Sequence, residues 1–401
     1  MSPRPLRVLL CGTGFGRFYA DALARMPDTF ELAGILSRGG EFSRRYAERA
    51  GVPLYTGVDQ VPDGVDAACV VVGAAVSGGA GGELARALLA RGVHVLQEHP
   101  VHEDELTAAL RAARGGGAVY HLNPFYRHVA PIRRFLEAAR ALRERGPVLF
   151  ADATSAVQVL YPLLDVLARA LGGLRPWALT GPLATDPEVA SLAAHAQPYR
   201  VLQGSVAGVP LTLRVQNQLD PSDGDNHALL WHRLALGTEH GVLTLADTHG
   251  PVLWQPRLYA PRDAHGRLRS TGPETGHLAE PATTVLEGTD APPYREVFDR
   301  LWPEALTRAL ADFAADVRAG ANPLVRGQFD LGVCRMWHET TGRLGRPEVI
   351  RPGPPTAHLG AADLEPAPRG AGDGPPPEAS GGLPAPLTTG NATPRERPTT
   401  P

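Results

Sequence analysis

Two rhythms of apolar residues divide the chain. Through the first third, short apolar runs alternate with segments whose apolar residues recur every three or four positions. Leu6 to Cys11, Leu32 to Ser37, Ala67 to Val72, His94 to Gln97 and Val119 to Leu122 read as strands, with helices between them. The stretch Gly79 to Arg91 shows the helical spacing, with Leu84, Leu88 and Leu89 on one side. Such alternation predicts βαβ units and a parallel sheet. The run from Cys69 to Val72 is apolar throughout, as expected for a strand covered on both faces. After about Phe125 the rhythm changes: a long helix over Ala130 to Arg145 precedes Tyr199 to Val206 and Leu211 to Gln218, which alternate apolar and polar residues. That alternation predicts a largely antiparallel, open sheet with one exposed face. Helices over Pro303 to Ala319 and Gln328 to Arg343 close the folded part. From Pro352 onward the chain is rich in Pro, Gly, Ala and Thr without period, and cannot bury enough apolar surface to offset its ordering entropy. The predicted class is α/β: a doubly wound parallel sheet in residues 1–124, an α+β substrate and dimerisation domain in residues 125–351, and a disordered tail in residues 352–401.

Composition narrows the chemistry. At 401 residues the chain exceeds the ~250 to 300 residues that one core usually supports, in keeping with two domains. A net charge of -3 with 20% charged residues offers no basic field, so neither nucleic acid nor an anionic membrane is expected as a partner. Cys11, Cys69 and Cys334 lie far apart, which indicates neither a disulfide framework nor a metal cluster. The first strand begins within a few residues and no apolar run approaches ~18 residues, so no signal peptide or membrane span is expected and the predicted location is cytoplasmic.

The first strand ends in Gly12-Thr13-Gly14-Phe15-Gly16, a glycine turn that opens into a helix and marks the N-terminal part as a dinucleotide-binding Rossmann domain. Gly12 can make the tight turn and Gly14 lets backbone approach a pyrophosphate, while the helix from about Phe15 offers free N–H groups and its positive dipole end. The third glycine arrives one residue early, because Arg17 stands where the usual fingerprint has glycine or alanine. At the end of the second strand, where an NAD enzyme places an acidic residue, the chain has Ser37-Arg38-Gly39-Gly40. A guanidinium and a hydroxyl match a 2'-phosphate, so the expected cofactor is NADPH, with Ser43 and Arg44 able to add to the pocket. Gly73 and Glu98, at later strand ends, are further cofactor-binding candidates.

Two more turns fall on the same sheet edge: Gln97-Glu98-His99-Pro100 and Asn123-Pro124-Phe125-Tyr126. Each proline restrains the residue before it to extended backbone, which would aim His99 and Tyr126 toward the nicotinamide. A hydride delivered to C=N or C=O leaves charge on the heteroatom, and a positioned His or Tyr can neutralise it with a proton.

These turns and the two-domain order resemble the Gfo/Idh/MocA oxidoreductases. The segments Val52 to Thr56, Arg91 to Pro100, Asn123 to Tyr126, Leu160 to Asp165, Leu219 to Pro221 and Asn226 to Leu234 resemble, more narrowly, the thiazolinyl imine reductases of siderophore assembly lines. Sugar dehydrogenases of the wider family usually carry lysine where His99 stands. The resemblance implies that NADPH reduces a thiazoline C=N to a thiazolidine, with His99 or Tyr126 protonating the ring nitrogen. It also implies a substrate tethered to a carrier domain of a nonribosomal peptide synthetase. Phe125, Gln158 and Tyr161 would then face the substrate, and Trp231 and Trp254 either line its pocket or pack in the core. The open antiparallel face suits a homodimer, or a cover from within the chain. Two other functions stay open: reduction or oxidation of a free sugar or cyclic imine, and NADPH binding without catalysis.

Overall fold

The computed structural model describes residues 4–73, 79–353 and 359–365. The parallel sheet is built from β1 (Leu6–Cys11), β2 (Phe30–Leu36), β3 (Leu54–Tyr55), β4 (Ala67–Val70), β5 (His94–Glu98) and β6 (Tyr120–Asn123). Its strand order is β3-β2-β1-β4-β5-β6, so the direction of winding reverses between β1 and β4. All four residues of β4, and Val8 to Cys11 of β1, are fully buried. That is why these runs carry no polar alternation. The helices α1 (Gly16–Ala24), α2 (Glu41–Ala50), α3 (Ala80–Ala90) and α4 (Glu103–Gly115) complete the βαβ units. In α4 the His102 side chain caps the Asp104 N–H, and Glu103, Asp104 and Glu105 in the first turn suit the positive helix end.

A second sheet follows α5 (Ala130–Arg143). It contains β7 (Val148–Ala156), β8 (Trp177–Leu179), β9 (Tyr199–Val206) and β10 (Val209–Gln216), then β12 (His232–Thr238), β13 (Gly241–Leu245), β14 (Val252–Pro256) and β15 (Thr284–Val285). A two-residue strand between these groups, β11 (Gln218–Leu219), pairs instead with β16 (Glu348–Val349). The order of the large sheet is β15-β14-β13-β12-β7-β10-β9-β8. Every pair is antiparallel except β7 with β10. The hairpin between β9 and β10 turns at Ala207 and Gly208, both with positive φ, the backbone a two-residue turn of the primed type requires. Helices α5 and α6 (Leu160–Leu171) cover one face of this sheet. On β7, Leu149 and Phe150 are exposed.

The chain does not stay with the second sheet. After α7 (Pro187–Leu192), α8 (Tyr294–Glu296) and a π-helical turn at Val297–Leu301, α9 (Trp302–Ala319) packs on α1, and α10 (Pro323–Leu344) packs on both α4 and α6. A Cβ at Gly327 would lie 2.5 Å from Leu110 and one at Gly332 2.6 Å from Leu174, so glycine lets α10 approach closely. Residues 1–352 consequently form one compact unit. Helix α10 begins five residues before the expected Gln328, because Asn322 caps it through the Leu324 N–H and Pro323 starts it. Most of the tail at 352–401 lies outside the described residues; what is described of it includes one turn of 3-10 helix, Ala361–Leu364. Among the described residues no helix is long and apolar enough to cross a membrane.

Candidate active site

Beyond the ends of β1, β2 and β4, where the winding reverses, a cleft of about 1090 Å³ opens. Gly12 has φ 90°, and a Cβ there would sit 2.4 Å from the Val71 carbonyl oxygen, so the turn between the two strand ends accepts only glycine. A Cβ at Gly14 would meet no atom within 4 Å: its bare face borders the cleft. The buried hydroxyls of Thr13 and Ser43 hydrogen-bond at 2.7 Å and tie the glycine turn to the start of α2. Ser37 Oγ accepts from the Gly39 N–H at 3.2 Å, which shapes the loop after β2. Arg38 is exposed, lines the cleft, and among the described residues has no hydrogen-bond or ion-pair partner. Gly73 lines the opposite strand end.

Three expected cofactor residues stand elsewhere. Gly16, the first residue of α1, lies against Leu10, where a Cβ would make an ordinary contact at 3.4 Å, and it does not line the cleft. The Phe15 ring lies 5.7 Å from Phe125 and 5.9 Å from Trp302, inside an aromatic cluster. Glu98 turns toward His99. In their place the cleft draws on Thr56 and on Glu83 and Leu84 of α3, which the glycine fingerprint does not point to.

A second constellation sits at the ends of β5 and β6. His99, joined to Pro100 by a cis peptide bond, places Nδ1 2.9 Å from Glu98 Oε1 and 3.1 Å from the Asn123 carbonyl oxygen. The carbonyl can only accept, so the proton is assigned to Nδ1, with the Glu98 carboxylate beside it at ion-pair distance, and Nε2 is the ring position left to exchange one. Glu98 Oε2 accepts from the Tyr19 hydroxyl and, at 3.4 Å, from Asn123 Nδ2. Asn123 Nδ2 also donates to the Tyr19 oxygen at 2.7 Å. The imidazole stacks on Tyr161, with centroids 5.9 Å and planes 19° apart, and meets the Tyr126 ring edge-on at 6.2 Å.

Tyr126 owes its direction to a γ-turn. Phe125 has φ 59° and ψ -65°, and the Tyr126 N–H donates to the Pro124 carbonyl at 2.7 Å. Backbone of this kind costs roughly 1 to 3 kcal/mol and persists only where its surroundings over-determine it. Here Asn123 Oδ1 accepts from the Phe125 N–H at 3.0 Å, and the buried Phe125 ring packs against Phe15 and Trp302. Tyr126 is thereby thrown against His232, 4.9 Å between centroids, and Trp231 at 6.0 Å. Burial, then the charge of Glu98, push its phenol well above the usual range, so it remains a proton carrier. Among the described residues its hydroxyl has no hydrogen-bond partner. His232 donates from Nε2 to the Val159 carbonyl at 2.8 Å and accepts at Nδ1 from Thr248 at 3.0 Å; burial pushes it down to about 4, so it is neutral.

Gln158, in the turn leading to α6, has both amide atoms buried and unpartnered among the described residues. Trp231 joins the aromatic cluster, stacked 6.0 Å from Trp302, whereas Trp254 lies half-buried along β14. Trp302 is the hub that the helical pattern hides: its indole also donates to His249 Nε2 at 3.1 Å. Beneath the turn, Asp165 pairs with Arg169 at 3.0 Å and Arg127 at 3.7 Å, and Arg127 donates to His128 Nε2 at 3.1 Å. That layer anchors residues 126–128 against α6.

Comparison with known proteins agrees with this geometry. Residues 6–123 match the family model described as the oxidoreductase family with an NAD-binding Rossmann fold, and residues 147–255 match that of the C-terminal domain of Irp3-like thiazolinyl imine reductases. No curated protein matches the chain. Many solved structures share its fold, among them these three. One is a 3-ketoreductase from Actinomadura kijaniata in complex with TDP-benzene and NADP, at 18% identity and TM-score 0.60, covering 86% of this chain and 100% of that one. Another is a UDP-N-acetylglucosamine 3-dehydrogenase from Acidithiobacillus ferrooxidans, at 16% identity and TM-score 0.57, covering 84% and 97%. The third is a probable dehydrogenase from Thermotoga maritima, at 16% identity and TM-score 0.55, covering 84% and 96%. Residues 6–123 thus match the Gfo/Idh/MocA oxidoreductase family and residues 147–255 the Irp3-like C-terminal domain, each model over part of the chain.

Proposed function

We propose that the protein is an NADPH-dependent reductase of a ring C=N bond, converting a thiazoline to a thiazolidine on a carrier-tethered nonribosomal peptide intermediate of siderophore-type biosynthesis. The observation that carries this reading is His99. It stands at the end of β5 with Nδ1 anchored and Nε2 free, facing the phenol of Tyr126, in a chain with an Irp3-like second domain. Reducing an imine calls for an acid at nitrogen, and an imidazole and a phenol stand side by side at these strand ends.

The cleft suits the cofactor: Gly14 leaves its face bare, Gly12 folds the turn away, and Arg38 offers a cation with the Ser37 hydroxyl beside it. When bound, NADPH supplies the hydride. The N–H groups at the start of α1 would hold the pyrophosphate, and Arg38, with Ser37 and Ser43, would hold the 2'-phosphate. At the imine nitrogen, His99 Nε2 or the Tyr126 hydroxyl gives the proton. Phe125, Tyr161 and Trp231 give an apolar, aromatic surrounding for a flat ring, and the unpartnered Gln158 amide supplies a polar contact. The carrier domain of a nonribosomal peptide synthetase is the proposed partner, and the exposed Leu149 and Phe150 on β7 support a homodimer through the second sheet.

The test is loss of NADPH absorbance with a 2-aryl-thiazoline thioester mimic, compared with NADH and with His99→Asn and Tyr126→Phe. Turnover that prefers NADPH and collapses in one variant supports the reading. Turnover of a UDP-sugar with none of the imine would move the protein to free small-molecule chemistry.

A further inference from the structure

We infer that Glu98 is a positioning residue for His99, held in that role by the hydroxyl of Tyr19, rather than a ligand of the cofactor. The inference rests on reading His99 as the acid of imine reduction. Both carboxylate oxygens of Glu98 are engaged inside the protein. Oε1 lies 2.9 Å from His99 Nδ1, and Oε2 accepts from Tyr19 and from Asn123 Nδ2. Tyr19 is fully buried on α1, where a phenylalanine would pack as well; its hydroxyl has a reason to exist only in the bonds to Glu98 and Asn123. Burial, reinforced by Glu98, pushes that phenol well above the usual range, so Tyr19 is a donor here.

The groups around His99 leave Glu98 as the charge in contact with it. From the turn after β6 come Tyr126 and the Asn123 carbonyl, from α6 Tyr161, and from β12 His232. Burial pushes both tyrosines up and His232 down to about 4, so all three are uncharged near neutral pH. Cys69 on β4, near Glu98, is pushed up to about 12 by burial and is uncharged as well. With the Asn123 carbonyl accepting from Nδ1–H, the carboxylate 2.9 Å away compensates the charge of a proton on Nε2. In the reaction the Nε2–H bond breaks and an N–H bond forms on the substrate nitrogen as the hydride reaches the adjacent carbon. Imidazolium becomes neutral imidazole with Nδ1–H still on the Asn123 carbonyl beside Glu98, and water restores the Nε2 proton.

Two variants test this. Glu98→Gln keeps the shape and removes the charge; Tyr19→Phe removes only the hydroxyl. The readout is NMR titration of the His99 imidazole in the protein without substrate, beside the pH profile of kcat/KM for imine reduction. The expected result is that the imidazole takes up its proton at a pH about 1 to 2 units lower in Glu98→Gln, with a smaller shift of the same sign in Tyr19→Phe. The alkaline limb of kcat/KM moves with it. An unmoved His99 titration together with weakened NADPH binding in Glu98→Gln would overturn the inference and return Glu98 to the cofactor. Because the titration needs no substrate, it decides Glu98 even if His99→Asn shows full turnover, a result that would instead defeat the acid assignment. Should Glu98→Gln fail to fold, the Tyr19→Phe titration decides alone: a downward shift supports, none overturns.

Discussion

Alanine at Gly14 and alanine at Gly12 should separate cofactor binding from folding. At Gly14 a methyl group meets no atom within 4 Å and the backbone lies outside the left-handed region. Stability should therefore hold or rise by about 0.4 to 1 kcal/mol, through a less free unfolded chain. The same methyl occupies the space that a pyrophosphate must enter. Losing one charge-assisted hydrogen bond there removes about 1.5 to 3 kcal/mol of binding, or roughly 10- to 150-fold in NADPH affinity. At Gly12 the methyl would lie 2.4 Å from the Val71 carbonyl oxygen at φ 90°. Left-handed backbone alone costs roughly 1 to 2 kcal/mol, and relieving the contact brings the expected loss of stability to about 2 to 4 kcal/mol. Urea unfolding without cofactor and NADPH titration by fluorescence read the two effects separately. A Gly14→Ala protein that binds NADPH like the parent would refute the placement of the pyrophosphate.

Arg38→Ala should weaken NADPH by about 10- to 150-fold and leave NADH within about twofold, measured as the two dissociation constants. Equal loss for both would assign Arg38 to something other than the 2'-phosphate. Gln158→Met removes a buried amide that the unliganded protein leaves unpaired, so urea unfolding should show stability unchanged or raised by up to about 3 kcal/mol while KM for the imine increases. A clear destabilisation would mean the amide is satisfied within the fold. Stability should also fall on acidification. Burial pushes His128 down to about 2 and His232 to about 4, so below the unfolded value near 6.5 the unfolded state binds more protons, and each histidine then costs roughly 1 kcal/mol per pH unit. Asp330, pushed up to about 6 by burial, works in the opposite sense between about pH 6 and 3.8, but one carboxyl offsets only one of the two histidines. A melting temperature that does not drop between pH 6.5 and 4.5 would contradict this balance.

Five of the six strands of the parallel sheet are legible because their burial is local: an apolar run such as Ala67 to Val70 fills its strand, and Gly12 announces its turn, whereas the two-residue β3 is too short to show a pattern. The return of α9 and α10 to α1 and α4 is not legible, since a helix pattern shows that an apolar face exists and not what covers it. For the same reason Trp302 reads as one more core residue, although it gathers Phe15, Phe125 and Trp231 around the site. His99 and Tyr126 are visible as residues at strand ends. What directs them is not: the γ-turn at Phe125 carries no glycine to signal positive φ, and Tyr19 reaches Glu98 from a helix some 80 positions earlier. The parallel pairing of β7 with β10 likewise depends on where the hairpin of β9 and β10 inserts, which residue alternation alone does not encode.

The central claim is tested most directly by single-turnover reduction of a thiazoline loaded on its carrier domain, with deuterated NADPH and mass analysis of the product. The expected product gains one deuterium at the former C=N carbon and becomes a thiazolidine, in a reaction that His99→Asn or Tyr126→Phe slows by two to four orders of magnitude, about the 10²–10⁴-fold a positioned acid contributes. A product with no deuterium, or no reduction by a protein that binds NADPH tightly, would contradict it.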